Sequence, residues 1–310
     1  MRKRGAHLVA LASPRVLRVS AGATAVLLVL GGFGVLAVSH EAAERLIHPA
    51  RELSHATPSH RGMPYERVAF ETSDGLVLQG WWMPVEESRG VVVFLHGYGA
   101  SKSQSLAVAP FLHHAGYTVL AFDFRAHGES GGTFTSVGIE ETKDVKAAVA
   151  YAVAREGEGV PLALLGWSMG AAAAINAADE LPEVRAIVAD SGFARLANAI
   201  SNSLSSFSGL PRYPFEPLVL GFATRMAGHS PSDNVPERHA ANLARPLLVI
   251  QGMEDGLARP EGDGSALASA AGDWAQYWLV PGAGHVDART KHPHEYQERV
   301  LAFLDAHLSG

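Results

Sequence analysis

The chain has 310 residues, 47% of them hydrophobic, which is enough for one large core, and it has no cysteine, which excludes disulfides, thiol catalysis and cysteine-ligated metals. Its formal net charge of -6 conceals an asymmetry, because the first 40 residues carry five basic and no acidic side chains. The remaining residues carry 20 basic against 31 acidic side chains, which predicts no nucleic-acid partner because phosphate contacts require a basic surface.

An apolar run near the N-terminus, residues 19–38, contains no charged side chain and follows only basic ones. A helix of that length spans about 30 Å, which matches the hydrocarbon core of a bilayer. We therefore predict a transmembrane signal anchor in the plasma membrane, with residues 1–18 in the cytoplasm and the following chain outside. The alternative is a signal peptide cleaved near Ala37-Val38-Ser39, which would release a secreted protein. The length of the apolar run favours the anchor.

Residues 39–64 are polar and contain several prolines and histidines, which predicts a solvated linker. Alternation on either side of Ser73-Asp74-Gly75 predicts a β-hairpin over residues 65–83. Apolar runs predict six further strands, at residues 90–95, 117–122, 162–165, 184–190, 246–252 and 276–280. Helical spacing occurs between and after them, at residues 103–114, 138–155 and 294–308. The alternation predicts a single α/β domain over residues 65–310.

Residues 197–244 depart from this alternation and form a candidate cap, or lid, over the catalytic face. The segment is rich in serine, is interrupted by prolines and regains helical character over residues 218–226. We expect its larger apolar side chains to form an apolar underside; these are Phe207, Leu210, Tyr213, Phe215 and Phe222. The alternative is that they belong to the core of the domain.

The pentapeptide Gly166-Trp167-Ser168-Met169-Gly170 lies between a buried strand and a helical run of small residues. A serine on a sharp strand-to-helix turn needs small residues two positions away on either side, because the backbone there is strained and crowded. Such a turn holds the hydroxyl clear of the sheet, near the positive end of a helix dipole. We therefore predict that Ser168 is a nucleophile. A tight turn without chemistry is the alternative, because the pentapeptide recurs by chance in Gly-rich and Ala-rich sequences.

Two residues that suit a serine nucleophile follow later strands. Asp255 comes after the strand at residues 246–252, and His285 lies in the glycine-rich loop after residues 276–280. Functional groups collect at the carboxyl ends of strands in an open parallel sheet. Because a serine hydroxyl needs an adjacent base, we predict that His285 takes its proton and that Asp255 orients the imidazole. The chain order Ser, Asp, His is typical of the α/β-hydrolase arrangement.

The loop His96-Gly97-Tyr98-Gly99 directly follows a buried strand, and its glycines allow backbone N–H groups to face inward. We predict that the N–H groups of Tyr98 and Met169 receive the developing oxyanion, the alternative for the loop being an ordinary βα connection. A second glycine-rich turn is predicted to brace loops through the side chains of Asp123, Arg125 and His127.

The ordered set of motifs resembles the α/β-hydrolase superfamily, and most closely its bacterial membrane-anchored branch, Bem46-like or serine-aminopeptidase-like (S33-type). The motifs are His96-Gly97, Asp123-x-Arg125-x-His127-Gly128-x-Ser130, Gly166-x-Ser168-x-Gly170, Gly252-x-x-Asp255 and Gly282-Ala283-Gly284-His285. The resemblance covers about residues 65–308. It implies an eight-stranded, mostly parallel sheet flanked by helices, with no metal and no organic cofactor.

Two departures from the family pattern lie in the loop that carries the acid. Gln251 stands where relatives often have histidine, a change that we expect to affect only loop packing. The residues Gly256-Leu257-Ala258-Arg259-Pro260 replace the more usual small apolar ones, which leaves Glu254 as a rival to Asp255.

The sequence thus predicts a serine hydrolase that cleaves a small-molecule carboxylic ester through an acyl-enzyme intermediate on Ser168. A peptidase or a thioesterase could use the same residues, because amides, thioesters and esters share a tetrahedral intermediate. A membrane-tethered scaffold that has lost activity is the alternative from another class, because fold does not fix function. The sequence does not indicate an oligomeric state.

Overall fold

The central element is a mixed eight-stranded sheet, with strand order β1-β2-β4-β3-β5-β6-β7-β8. The computed structural model describes residues 14–204 and 209–308, with side chains described from Ala23 onward. β1 pairs antiparallel with β2 and β2 antiparallel with β4, whereas the other neighbours are parallel. The strands are β1 (Glu66–Glu71), β2 (Val77–Met83), β3 (Val91–Leu95), β4 (Thr118–Phe122), β5 (Leu162–Trp167), β6 (Val184–Asp190), β7 (Leu247–Gly252) and β8 (Ala275–Val280). The predicted α/β-hydrolase fold is confirmed.

Helices cover both faces of this sheet. Every residue of β3, β4, β5 and β7 is buried, which explains why these strands are continuous apolar runs without alternation. The helices within the described residues are α1 (Pro14–Ile47), α2 (Ala109–His114), α3 (Glu141–Glu156), α4 (Met169–Ala178), α5 (Leu196–Ser203), α6 (Arg212–Ala227), α7 (Pro236–Ala240), α8 (Ser265–Ala271), α9 (Ala288–Lys291) and α10 (Pro293–Leu308). The helix predicted over residues 103–114 divides into a 3₁₀ turn, Lys102–Ala107, followed by α2.

Helix α1 differs from the sequence prediction, because it does not end with the apolar run at residue 38 but continues to Ile47. Its last turns bury Ser39, Ala43 and Ile47, which are spaced four residues apart and therefore share one face of the helix. This face packs on Val219 and Ala223 of α6. Residues 39–47 are thus not the solvated linker that their polarity predicts.

The stretch Ala23–Ile47 of α1 is long and apolar enough to cross a membrane. Most of its large side chains before Ser39 are exposed, among them Leu28 and Phe33 at 72% and 68%. Residues 1–13 of the predicted basic segment, residues 1–18, lie outside the described residues.

The chain that follows α1 is also held against the domain. The guanidinium of Arg51 donates hydrogen bonds to four backbone carbonyls of the turn after β4, those of His127, Gly128, Ser130 and Gly132. A short 3₁₀ turn, Pro58–Arg61, precedes β1. The predicted linker therefore lies along the surface of the domain.

The candidate cap, residues 197–244, contains most of α5 and all of α6 and α7. Of the residues predicted to form its apolar underside, Leu210 lines a groove along α1, whereas Tyr213 and Phe222 do not lie over the catalytic face. Tyr213 is 71% exposed, and Phe222 meets the ring of His40 on α1 at 5.3 Å between centroids. Phe207 lies outside the described residues. The reason is that α1 extends along this side of α6 and takes up the apolar contacts there, so the aliphatic side chains of α5 cover the catalytic face instead.

Candidate active site

Ser168 occupies the sharp turn between β5 and α4. Its backbone has φ of 52° and ψ of -114°, a strained conformation for a residue with a side chain. The turn is equally crowded, because a Cβ placed on Gly166 would lie 2.4 Å from the backbone of Gly170, and one on Gly170 would lie 2.1 Å from the carbonyl oxygen of Leu95. Only glycine fits at both positions, so the strand and the helix can approach closely enough to expose the Ser168 hydroxyl.

The structure brings His285 and Asp255 to Ser168. His285 Nε2 lies 2.9 Å from Ser168 Oγ, and His285 Nδ1 lies 2.8 Å from Asp255 Oδ2. Because the carboxylate only accepts, Nδ1 carries a proton and Nε2 is left to accept from the serine hydroxyl. The Asp255 side chain is fully buried, whereas that of His285 is 26% exposed and open to a ligand.

The loop that carries His285 is fixed beside the turn of Ser168. Val286 has a positive φ of 55°, and its N–H donates to Ser191 Oγ at 2.9 Å. Ser191 follows β6, the strand between β5 and β7, which connects this loop to the centre of the sheet. The sequence did not single out Ser191 for this role.

Four donors surround the carboxylate of Asp255. The N–H groups of Leu257 and Ala258 donate to Oδ1, at 2.9 Å each. Gln251 Nε2 donates to Oδ2 at 2.8 Å, the same oxygen that accepts from His285. The expectation that Gln251 affects only loop packing is therefore wrong, because its amide contacts the acid directly. Glu254, the predicted rival, is exposed.

The loop after β3 passes beside Ser168, since a Cβ on Gly97 would lie 3.6 Å from Ser168 Cβ. His96 holds the start of this loop through both ring nitrogens. Nδ1 lies 2.7 Å from the Gly97 carbonyl oxygen, and Nε2 accepts a hydrogen bond from Phe124 N–H at 2.9 Å. This pairing requires a neutral ring, and burial accordingly lowers the pKa of His96 well below its usual value. Among the described residues, neither Tyr98 N–H nor Met169 N–H donates to a protein acceptor.

The glycine-rich turn after β4 braces its neighbours, as predicted. Asp123 is fully buried and accepts from the backbone N–H and the ammonium of Lys102, at 2.6 and 2.5 Å, which holds the end of the loop that contains Tyr98. Arg125 is nearly buried and forms ion pairs with Asp144 and Asp74. The sequence did not identify the two carboxylates as partners of Arg125.

Asp190, at the end of β6, is a second buried acid near the site. It is 1% exposed and accepts from Ser191 Oγ at 2.9 Å, and its backbone carbonyl accepts from Ser168 N–H at 2.9 Å. Burial raises the pKa of Asp190 to about 6. Its position directly beneath the turn makes it a structural support that the sequence analysis did not identify.

This raised pKa predicts a pH-dependent cost in stability. The unfolded chain releases the Asp190 proton near pH 3.8 and the folded chain near pH 6, so the folded state holds more protons between these values. The contribution of Asp190 to the free energy of unfolding therefore falls as pH rises through this window, by about 3 kcal/mol in total.

Asp190→Asn removes this dependence. The difference in stability between the variant and the parent is expected to shift in favour of the variant as pH rises from 4 to 8. The measurement is thermal unfolding of both full chains in detergent at the two pH values. A stability difference between variant and parent that is the same at the two pH values would contradict the assignment.

A cavity of about 290 Å³ opens beside Ser168 and is lined mostly by apolar side chains. Met169 and Phe193 line it, and α5 supplies Leu196, Ala199 and Ile200. Helix α1 supplies Ala42, Arg45 and Leu46 on another side. The cavity thus offers an apolar group a binding site directly at the serine.

Comparison with known proteins agrees with the fold. A family model described as serine aminopeptidase, S33, matches residues 86–234. Among solved structures, the esterase Pf2001 of Pyrococcus furiosus matches with a TM-score of 0.74 and 31% identity, over 85% of this chain and 98% of that one.

Two curated proteins extend the comparison. An uncharacterized protein of Mycobacterium tuberculosis is 31% identical over 224 residues, 71% of this chain and 72% of the relative. A monoacylglycerol lipase of Mycolicibacterium smegmatis is 29% identical over 238 residues, 66% of this chain and 84% of the relative. With its eight-stranded sheet, its serine at the sharp turn after β5 and its 31% identity to the esterase Pf2001, the chain belongs to the α/β-hydrolase superfamily.

Proposed function

We propose that the protein is a serine hydrolase that cleaves carboxylic esters with Ser168, His285 and Asp255 as its catalytic triad. The observation that carries the proposal is the bridging position of His285, 2.9 Å from the serine hydroxyl on one side and 2.8 Å from a buried carboxylate on the other. A strained serine, an accessible histidine and a buried acid are what nucleophilic acyl transfer requires.

The reaction follows from this geometry. Ser168 Oγ attacks the ester carbonyl while His285 Nε2 takes its proton, and the imidazolium then returns the proton to the departing alcohol. Water, activated by the same nitrogen, cleaves the acyl-enzyme and regenerates the serine with release of the acid. Asp255 keeps the Nδ1–H tautomer and stabilises the imidazolium. The N–H groups of Tyr98 and Met169 receive the oxyanion, a contribution of about 2.7–4 kcal/mol per donor.

Several observations favour an ester over a peptide with a free N-terminus. An aminopeptidase needs an acidic group to bind the substrate ammonium, but among the described residues no aspartate or glutamate lines the cavity at Ser168. Glu41, in the adjoining groove, is paired with Arg45. Two relatives, one named as an esterase and one as a monoacylglycerol lipase, point in the same direction.

We further propose that α1 spans the plasma membrane once, with the basic N-terminus in the cytoplasm and residues 65–310 outside as the catalytic domain. The exposed apolar side chains of Ala23–Ile47 and the basic flank support this topology. The length of the apolar stretch favours an uncleaved anchor over a signal peptide, whose apolar region is usually about 7–15 residues long.

The test is labelling of the full chain in detergent with a fluorophosphonate probe, which reacts with activated serines. The full chain is required because α1 lines the cavity, so a soluble fragment starting at Tyr65 would lack part of the site. The parent should be labelled and Ser168→Ala should not, with circular dichroism showing that both are folded. A folded parent that resists the probe would favour the inactive scaffold.

A further inference from the structure

We propose that the last turns of α1, residues 39–47, form one wall of the acyl-binding site, and that the substrate is a single-chain acyl ester of the bilayer that enters along this helix. The inference rests on the proposed function and adds to it the substrate class and the route of entry. The last turns of a membrane anchor would then be part of the binding site for the acyl chain.

The first observation is the composition of the cavity at Ser168. Ala42 and Leu46 of α1 line it opposite the aliphatic side chains of α5, so the anchor helix and the cap enclose the same space. With a volume of about 290 Å³, the cavity lies at the lower end of the range for small-molecule sites, which suits one acyl chain better than two.

The second observation is a groove that continues from this cavity along α1. The groove, of about 710 Å³, shares Ala42, Arg45, Ser203 and Leu204 with the cavity. It then runs to Ala37, Val38 and Leu210, which brings it to the end of the apolar run of α1. Since α1 rises about 1.5 Å per residue, Val38 and Leu46 are separated by only about 12 Å along the helix.

The third observation is that α1 is fixed relative to the reacting groups. The hydroxyl of Tyr98 donates to the backbone carbonyl of Arg45, which connects α1 to the residue whose N–H we assign to the oxyanion. The buried stripe of Ser39, Ala43 and Ile47 holds the same turns against α6. The wall therefore has a defined position beside Ser168.

The fourth observation is a polar pair that lines the groove. Arg45 Nε and Glu41 Oε1 lie 2.8 Å apart, with both side chains largely exposed. A polar headgroup can remain among such groups and water while its acyl chain follows the apolar surface. This arrangement matches an amphiphile with one chain, its ester carbonyl at Ser168 and its chain along α1.

The experiment uses the full chain in phosphatidylcholine vesicles and a series of p-nitrophenyl esters from acetate to decanoate. We expect kcat/KM to rise about fourfold for each CH₂ that the cavity buries, until it is filled. Ala42→Trp, which places a large ring in the cavity, should lower the ratio of decanoate to acetate turnover at least tenfold. Ala42→Leu should lower it by a smaller factor, which provides the test if the larger ring prevents folding.

The matched control is Leu36→Trp, which adds a large ring to the same helix at a residue that lines neither the cavity nor the groove. It should leave the chain-length ratio unchanged. The inference would be overturned if kcat/KM of the parent did not depend on acyl-chain length. It would also be overturned if Leu36→Trp and Ala42→Trp changed that dependence by the same amount. A parent that hydrolyses none of the esters and does not react with the fluorophosphonate probe would instead count against the proposed function.

A second readout tests the single-chain assignment. A monoacylglycerol and a diacylglycerol with the same acyl chain are offered in the vesicles, and we expect at least tenfold faster release of fatty acid from the monoacyl ester. Equal rates would show that the site accepts two chains, and the substrate class would then be wrong.

Discussion

Replacing Ser168 by alanine is expected to lower kcat for ester hydrolysis by roughly 10⁶-fold, to the background that binding and the oxyanion donors alone support. The physical reason is that the acyl-enzyme cannot form without Oγ, while His285 retains its position through Asp255. The measurement is the steady-state rate on a short-chain p-nitrophenyl ester with the full chain in detergent.

The control for this prediction is Ser232→Ala, which removes the same atom from an exposed serine outside the cavity. It should retain the parent's rate. Alanine at position 168 also preserves the strained turn, because glycines 166 and 170 are unchanged, so the variant should unfold at a temperature close to that of the parent. Ester turnover that survives in Ser168→Ala would show that another group carries the reaction.

Replacing Asp255 by asparagine is expected to lower kcat by roughly 10⁴-fold. The two backbone N–H donors, from Leu257 and Ala258, will hold the amide oxygen at the Oδ1 position, which places the amide NH₂ where Oδ2 was. That NH₂ faces the imidazole as a donor, so His285 must present Nδ1 as an acceptor and carry its proton on Nε2. A histidine in this tautomer cannot take the proton of Ser168.

The matched control is Glu254→Gln, which makes the same chemical change at the neighbouring, exposed acid. We expect its kcat to remain within twofold of the parent. Measured side by side, the two variants also decide between the two acids that the sequence left open. A large loss in Glu254→Gln with little effect in Asp255→Asn would reverse the assignment.

The grouping of Ser168, Asp255 and His285 was predictable from the sequence because it depends on local patterns and one rule of topology. Each residue follows an apolar run that forms a strand, β5, β7 or β8, and the carboxyl ends of parallel strands lie at one edge of the sheet. Small residues around Ser168 indicated the turn. The distances among the three side chains required the structure.

The role of Gln251 was not predictable, because it depends on the direction of one side chain inside β7. A glutamine at the end of a buried strand has several ways to satisfy its amide. Only the path of the following loop brings the carboxylate of Asp255 and the carbonyl of Ala258 within reach of Nε2. The motif pattern identified the position as unusual but not its contact.

The extension of α1 was missed for a related reason. Residues 39–47 are rich in charged and polar side chains, and glutamates at positions 41 and 44 pair with Arg45 and His48 one turn later, on the exposed surface of the helix. The buried stripe consists of Ser39, Ala43 and Ile47, which is too weakly apolar to indicate a packed face. Its partner, α6, lies far along the chain, so the helix is explained by a tertiary contact.

Because α1 is one uninterrupted helix from the apolar run to Ile47, the orientation of the apolar run and the shape of the cavity are mechanically connected. In the proposed topology, a bilayer thinner than the apolar run is accommodated by tilting the helix. The end of the same helix is held on α6, so a tilt of the apolar run places strain on the turns where Ala42 and Leu46 line the cavity. Bilayer thickness would thus be a physical variable to which this enzyme's acyl site responds.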